Sequence, residues 1–353
     1  MWTDLSAGAW FALAAVAGLA YAAGWFTGAR KRPPQHAPAP AAAKERAAAP
    51  VDPGLRPERT TLGRYRIDRE LGRGSMGTVY LGHDPQIGRS VAIKTMALGR
   101  EFEGSELAEA RARFFREAEM AGRLQHPDIV TIYDASEDQG LAFIAMEYVN
   151  GHDLLRHTLP GRLLPATEVL HTVARVALAL AYAHTQGVVH RDVKPANVMI
   201  DPDAGTVKVT DFGIASITDA RRTRTGIVLG TPSYMSPEHL AGRRVDGRSD
   251  LYSLGVMLFQ LLTGALPHRS ESMAELLNQI ANEAAPDVRT LRPELPEALA
   301  DLLTLALDKR PELRYSDGRQ MAADLRSIAD QLDALAGPGV ENSRLDPRHN
   351  AGH

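Results

Sequence analysis

Cysteine is absent from all 353 residues, which excludes a disulfide framework, a thiolate zinc site and a cysteine nucleophile. An excess of one charge sign is missing too: 40 Lys+Arg face 43 Asp+Glu, a formal net charge of −3. A general nucleic-acid binder shows a strong basic surplus, so nucleic acid is not an expected partner. No internal repeat recurs along the chain. What is present is ordinary for a folded protein. With 44% apolar and 24% charged residues, a wholly disordered or fibrous chain is ruled out. The length allows one large domain or two to three small ones.

Charge is also missing locally. Leu5 to Ala29 carries none, and roughly 25 such residues suffice for a helix to cross a ~30 Å hydrocarbon layer. Trp2 and Trp10 at one end, and Tyr21, Trp25 and Phe26 at the other, are placed as interfacial rings would be. Arg30-Lys31-Arg32 closes the run, whereas only Asp4 precedes it. Positive residues stay on the cytoplasmic side. The expectation is a single-pass protein of the inner (cytoplasmic) membrane, with residues 1–4 outside and everything after Arg30 in the cytoplasm. A cleaved signal peptide would have a basic start and a shorter apolar core; a buried soluble helix is the other reading of so Ala-rich a run. Gly24 and Gly28, with Ala14, Gly18 and Ala22, have the small-residue spacing that lets membrane helices approach, although frequent Ala produces such spacing by chance.

Residues 30–62 read as a spacer, because Pro33, Pro34, Pro38, Pro40, Pro50, Pro53 and Pro57 break any long helix. Gly337-Pro338-Gly339 ends the last helical pattern, and residues 337–353 read as a disordered tail. The folded part is therefore expected over 65–336.

Its first third alternates apolar and polar residues. Tyr65–Ile67, Thr78–Leu81, Ser90–Lys94, Ile129–Tyr133 and Leu141–Met146 read as strands, with one helical pattern at Leu107–Leu124. Helical spacing dominates afterwards, at Thr167–Gly187, Ser249–Thr263, Ser272–Asn282, Pro296–Asp308 and Ser316–Ala334. A β-rich front and an α-rich back imply an α+β chain of two lobes, 65–146 and 151–336.

Several motifs carry chemistry. Leu71-Gly72-Arg73-Gly74-Ser75-Met76-Gly77-Thr78-Val79 sets a GxGxxG turn between two strand patterns. Glycines let backbone N–H groups lie close over phosphates. A dinucleotide-binding turn shares the spacing, but a helix must follow it; here a strand follows. Val91-Ala92-Ile93-Lys94 ends another strand with a lysine that can reach phosphate oxygens and then needs an acidic partner. Glu117 and Glu119 both lie on the next helix, and spacing does not choose between them. His190-Arg191-Asp192-Val193-Lys194-Pro195-Ala196-Asn197 is a loop, since Pro195 stops any helix. Asp211-Phe212-Gly213 follows a further apolar strand. An Asn and an Asp at neighbouring strand ends supply the hard oxygen ligands that Mg²⁺ takes alongside phosphates.

In this order, GRGSMGTV, VAIK, HRDVKPAN, DFG and Ser236-Pro237-Glu238 resemble the signature set of protein kinases. The chain is most similar to the eukaryotic-like serine/threonine kinases of bacteria, and Lys194 marks serine/threonine specificity within that resemblance. Val193 and Ser236 stand where Leu and Ala are usual; neither position carries charge or metal.

The resemblance implies the bilobal kinase fold and transfer of the ATP γ-phosphate to Ser/Thr hydroxyls of proteins. It implies that Asp192 takes or orients the hydroxyl proton, Lys194 neutralises the γ-phosphate, and Asn197 and Asp211 hold Mg²⁺, with Mn²⁺ a possible substitute. Lys94 would anchor the α/β phosphates, oriented by Glu117, which the resemblance favours over Glu119. Residues 71–79 (Leu71 to Val79) would cover the nucleotide, with adenine between Leu71, Val79 and Ala92 and Met146 behind. Glu147 and Val149 would meet the adenine edge through their backbone, and Asp153 would reach the ribose. Asp250 would brace the catalytic loop, and Glu238 would pair with Arg314. Thr223 or Thr225, in an Arg-rich stretch, is expected to be autophosphorylated in trans and to pair with Arg191; Thr231 is expected to contact Asp192 and the acceptor. A nucleotide-binding pseudokinase scaffold and a small-molecule kinase of related fold are the competing classes. With about four residues ahead of the membrane run, no extracytoplasmic ligand-binding domain is expected. His152, His157 and His171 show no zinc spacing and read as surface or packing residues.

Overall fold

The front of the chain builds a six-stranded antiparallel sheet from short, alternating segments. In a computed structural model, residues 60–74, 77–213 and 232–336 are described, all within a unit that starts at Leu55. The expected membrane run 5–29, most of the spacer, Ser75, Met76, Thr223, Thr225, Thr231 and the tail lie outside them. Among the described residues, no helix is long and apolar enough to cross a membrane.

Strands β1 (Thr61–Leu62), β2 (Tyr65–Gly74), β3 (Gly77–Asp84) and β4 (Arg89–Met96) are followed by the short helix α1 (Leu98–Glu101) and by α2 (Gly104–Gly122). Then come β5 (Ile132–Asp138) and β6 (Leu141–Glu147). The sheet order is β1-β2-β3-β4-β6-β5. The spacer read to residue 62 ends sooner than expected: Leu62 is fully buried and pairs with Tyr65. Its side chain joins Tyr65, Ile67 and Phe143 in a small core that polar spacer residues could not fill.

Alternation places the chemistry. Along β4, Val91 and Ile93 face that small core, whereas Ala92 and Met96 face α2 with Ile144 and Met146 of β6. Successive side chains of a strand point to opposite faces, so Lys94 shares the α2 face with Ala92 and Met96. Helix α2 answers with Ala110, Phe114, Ala118 and Ala121, buried at helical spacing. Glu117, three residues from Phe114, lies on this inward side. Glu119 points outward and pairs with Arg123. Glu117 thus shares the sheet-facing side of the helix and Glu119 does not.

At the hairpin tip, Gly74 pairs with Gly77. Gly77 has φ 141°, and a Cβ there would sit 1.7 Å from the carbonyl oxygen of Thr95, so only glycine fits. Strand β5 runs further than its apolar residues suggest, to Asp138. It is the sheet edge, where polar residues are tolerated and guard against further pairing. Ile129, expected in it, instead makes an isolated bridge to Val209.

The second lobe is helical. Strand β7 (His152–Asp153) and a 3₁₀ turn (Leu154–Thr158) lead to α3 (Ala166–Thr185). Strands β8 (Val198–Asp201) and β9 (Thr206–Val209) pair, with β7 on the other side of β8. Helices α4 (Pro237–Leu240), α5 (Gly247–Thr263), α6 (Met273–Asn282), α7 (Glu297–Ala306) and α8 (Gly318–Ala336) complete it. Helix α5 is buried almost all round, from Ser249 to Leu262. A helix apolar on nearly every side belongs inside a core, and this one is the centre of the second lobe.

Phe114 is fully buried between α2 and the sheet, whereas its neighbour Phe115 is exposed. Phe114→Ala should cost about 3–5 kcal/mol, and Phe115→Ala should stay within about 0.5–1 kcal/mol. Paired urea denaturation curves check this; equal losses would contradict the described face of α2.

Candidate active site

The catalytic loop begins at a buried carboxylate. Asp250 is 1% exposed. Its Oδ2 accepts the His190 N–H at 2.8 Å and lies 2.7 Å from His184 Nε2, while Oδ1 accepts the Arg191 N–H at 2.8 Å. These bonds bend the chain enough to set Arg191 at φ 67°, a left-handed conformation that non-glycine residues rarely take. The His190 ring carries the order forward. Its Nε2 lies 2.8 Å from the Thr210 carbonyl, so Nε2 holds the proton, and Nδ1 accepts the Asp192 N–H at 3.2 Å. Its ring packs on Phe212 with centroids 4.6 Å apart.

Asp192 is fixed from both sides. Lys194 Nζ lies 2.7 Å from Asp192 Oδ2. Asn197 donates through Nδ2 to the Asp192 backbone oxygen at 2.8 Å and to Oδ2 at 3.0 Å. With Nδ2 committed, Oδ1 is the amide atom that Asn197 offers to a cation. Thr210 N donates to the Asn197 carbonyl at 2.9 Å, which brings Asp211 alongside.

Lys94 does not pair with Glu117 as expected. Its Nζ lies 2.7 Å from Asp211 Oδ2, and among the described residues no ion pair joins it to Glu117. Glu117 Oε1 lies 3.9 Å from Nη1 of Arg191. Asp211 holds the ammonium in its place. Burial alone would raise the Asp211 carboxyl, but the charge and hydrogen bond of Lys94 outweigh it, with Lys194 adding, and hold it below the usual range. Asp211 sits at φ 65°, and its Oδ1 is buried without a hydrogen-bond partner. A buried, charged oxygen without a hydrogen-bond partner is the kind of donor that a hard divalent cation takes.

Next to this cluster a cavity of about 520 Å³ opens between the lobes. Leu71, Gly72, Val79, Ala92, Met146, Glu147, Val149, Asp153 and Asp211 line it. Gly74, Gly77 and Thr78 stand at the hairpin tip and its first pairs, and Arg73 points outward to Glu70. Burial raises the Asp153 carboxyl above its usual range, only partly offset by the Leu155 N–H.

Two contributors escaped the sequence reading. Met199 lines the cavity; it lies between Val198 and Ile200, both buried in the core, and strict alternation along that strand would have pointed it into the cleft. Lys208, between buried Val207 and Val209, reaches Glu147 at 2.9 Å and so ties the connector between the lobes to the strand that leads into Asp211.

Behind the loop, Arg314 grips Glu238 with two hydrogen bonds of 2.7 and 2.8 Å. The arginine side chain is 0% exposed. Burial would raise the Glu238 carboxyl, but Arg314 and Ser249 hold it down to about 2.

Residues 65–326 match the protein kinase domain family. The chain belongs to the protein kinase family, within its bacterial eukaryotic-like serine/threonine branch. It is 38% identical over 269 residues to serine/threonine-protein kinase PrkC of Bacillus subtilis, covering 76% of this chain and 41% of that protein. It is 40% identical over 264 residues to serine/threonine-protein kinase PknJ of Mycobacterium tuberculosis, covering 73% of this chain and 44% of that one. The chain thus matches about two fifths of the length of these curated relatives. Among solved structures, the kinase domain of Mycobacterium tuberculosis PknI is similar at a TM-score of 0.61 and 35% identity, over 76% of this chain and 97% of that one.

Because the folded Glu238 carboxyl is depressed, its contribution is complete above its ordinary value of 4.5 and is lost as pH falls toward 2. Glu238→Ala strands a buried guanidinium and should cost about 3–5 kcal/mol at neutral pH. The gap to the unaltered protein should narrow as pH drops below 4.5. Denaturation at a series of pH values measures it; a pH-independent gap would contradict the ion pair.

Proposed function

We propose that this chain transfers the γ-phosphoryl group of ATP to serine and threonine hydroxyls of proteins. The observation that carries this reading is the clustering of Asp192, Lys194 and Asn197 at 2.7–3.0 Å beside the Lys94–Asp211 pair. Phosphoryl transfer needs little more than positioning and charge neutralisation, and these groups supply both.

On this reading adenine lies between Leu71, Val79 and Ala92 with Met146 behind, Glu147 and Val149 meet its edge, and Asp153 takes the ribose. Lys94 holds the α/β phosphates, and Glu117 steadies Lys94 once it turns from Arg191. The substrate hydroxyl stands against Asp192 Oδ2, which accepts its proton as the oxygen bonds to the γ-phosphorus. The bond from that phosphorus to the β–γ bridging oxygen breaks, and ADP leaves. Lys194 neutralises the transferred group. Asn197 Oδ1 and Asp211 are the oxygens that would hold Mg²⁺, or Mn²⁺, which when bound screens the phosphate charge. Membrane attachment through residues 5–29 would concentrate the catalytic lobes on one surface and favour phosphorylation of Thr223 or Thr225 in trans, with Arg191 as the phosphate's partner.

Asp192→Asn should lower kcat by about 10²–10⁴-fold while leaving nucleotide affinity near that of the unaltered protein. Labelled-phosphate transfer and nucleotide titration check it together. An unaltered protein that binds nucleotide but transfers nothing would instead support the scaffold reading. Separately, the full chain should partition with membranes, and deletion of residues 1–32 should release a soluble enzyme of unchanged kcat. A full chain found wholly in the soluble fraction would contradict the anchor.

A further inference from the structure

Glu147 lines the nucleotide cavity, yet its side chain is held by residues that do not. It closes β6 in register with Val91 of β4, and its N–H donates to the Thr131 carbonyl oxygen at 2.9 Å. The carboxylate returns to the same residue: Oε2 accepts the Thr131 N–H at 3.1 Å. Lys208 of β9 completes the arrangement. Its Nζ donates to Glu147 Oε2 at 2.9 Å and to the Ile129 carbonyl oxygen at 3.3 Å. The lysine and glutamate side chains are only 14% and 27% exposed, so the charge between them is weakly screened.

Lys208 has a firm base. Val207 and Val209 on either side of it are buried. Val209 accepts the Val130 N–H at 2.9 Å and donates to the Asp128 carbonyl oxygen at 2.8 Å, and Arg175 Nε donates to Asp128 Oδ1 at 3.1 Å. The ammonium therefore pins Glu147 both in position and in rotation. With the Glu147 N–H committed to Thr131, the backbone group through which this residue can meet a nucleobase edge is its carbonyl, which only accepts. Adenine carries an amino donor at C6, and guanine carries a carbonyl acceptor there. A carbonyl that cannot turn away takes the first and opposes the second, and a site built around a hydrogen bond strongly rejects a ligand that cannot make it.

We propose that Lys208 is a positioning residue for nucleobase selection. By holding the Glu147 carboxylate it fixes the connector, so that a base with an exocyclic amino donor is accepted and one with a carbonyl in its place is refused. Lys208 touches neither base nor phosphate and acts through Glu147 alone. The inference rests on the reading of the cavity as a nucleotide site, and not on transfer to protein.

The test is equilibrium titration of the full-length chain with ATP and with GTP, each with Mg²⁺. Lys208→Met removes the ammonium and keeps an apolar stem. The dissociation constant for ATP should rise while that for GTP changes little, so the GTP-to-ATP ratio should fall roughly tenfold, as expected for one lost hydrogen bond to a charged group. Lys208→Arg returns a cation to Glu147 and should restore most of the ratio. A merely structural role would weaken both nucleotides alike and leave the ratio where it was. Glu147→Gln provides a second reading that leaves Lys208 in place: it keeps an acceptor for the Thr131 N–H, drops the charge, and should narrow the ratio in the same direction. An unchanged ratio in both Lys208→Met and Glu147→Gln, or equal losses for the two nucleotides, would overturn the proposal. An unaltered chain that binds neither nucleotide would overturn the reading of the cavity, and the proposal with it.

Discussion

A charge buried at 1% exposure survives only if its oxygens are fully engaged, and Asp250 meets that demand with two consecutive amides of the catalytic loop and the ring of His184. The loop's path follows from this. To aim both amides at one carboxylate, the backbone turns through a left-handed residue at Arg191. Helix α5 can present the carboxylate there because its remaining surface is packed into the C-lobe core. The His190 ring then relays the position to Asp192 on one side and to Thr210 on the other. Asp192 and Asp211 are therefore both referenced to one helix, although they come from different loops.

Within the cleft, charge is balanced pair by pair. Lys94 meets Asp211, Lys194 meets Asp192, and Glu117 faces Arg191. Such pairs, half out of water, limit the cost of gathering so many ionised groups in one place. A triphosphate changes the balance on the proposed reading. It offers both lysines stronger partners, which releases one carboxylate toward a cation and the other toward a hydroxyl. Lys94 needs one carboxylate, and Asp211 supplies it.

The fold was legible where pattern and packing agree. The helices of the second lobe fall within two or three residues of their expected ends, since long apolar periodicity leaves little choice. Part of the cavity wall, such as Leu71, Gly72 and Val79, sits in the glycine-rich motif, whereas Met199 carries no motif at all. The sequence was least informative where tertiary context decides. Leu62 looked like spacer because burial against Phe143 is invisible locally. Strand β5 overran its apolar stretch because an edge position tolerates Asp134 to Asp138. The partner of Lys94 was not legible either: Glu117 and Glu119 were its candidates, and the structure pairs it with Asp211, because spacing names who is near and distances decide who binds.

His152 and His157 show the same limit from the other side. Five residues apart, they match no helical or strand period, and only the turn capped by Asp153 folds one ring against the other. That cap also belongs to the wall of the nucleotide cavity. One short segment thus joins the hydrogen bond between the two rings to the cavity wall, and the rings brace the backbone that carries Asp153.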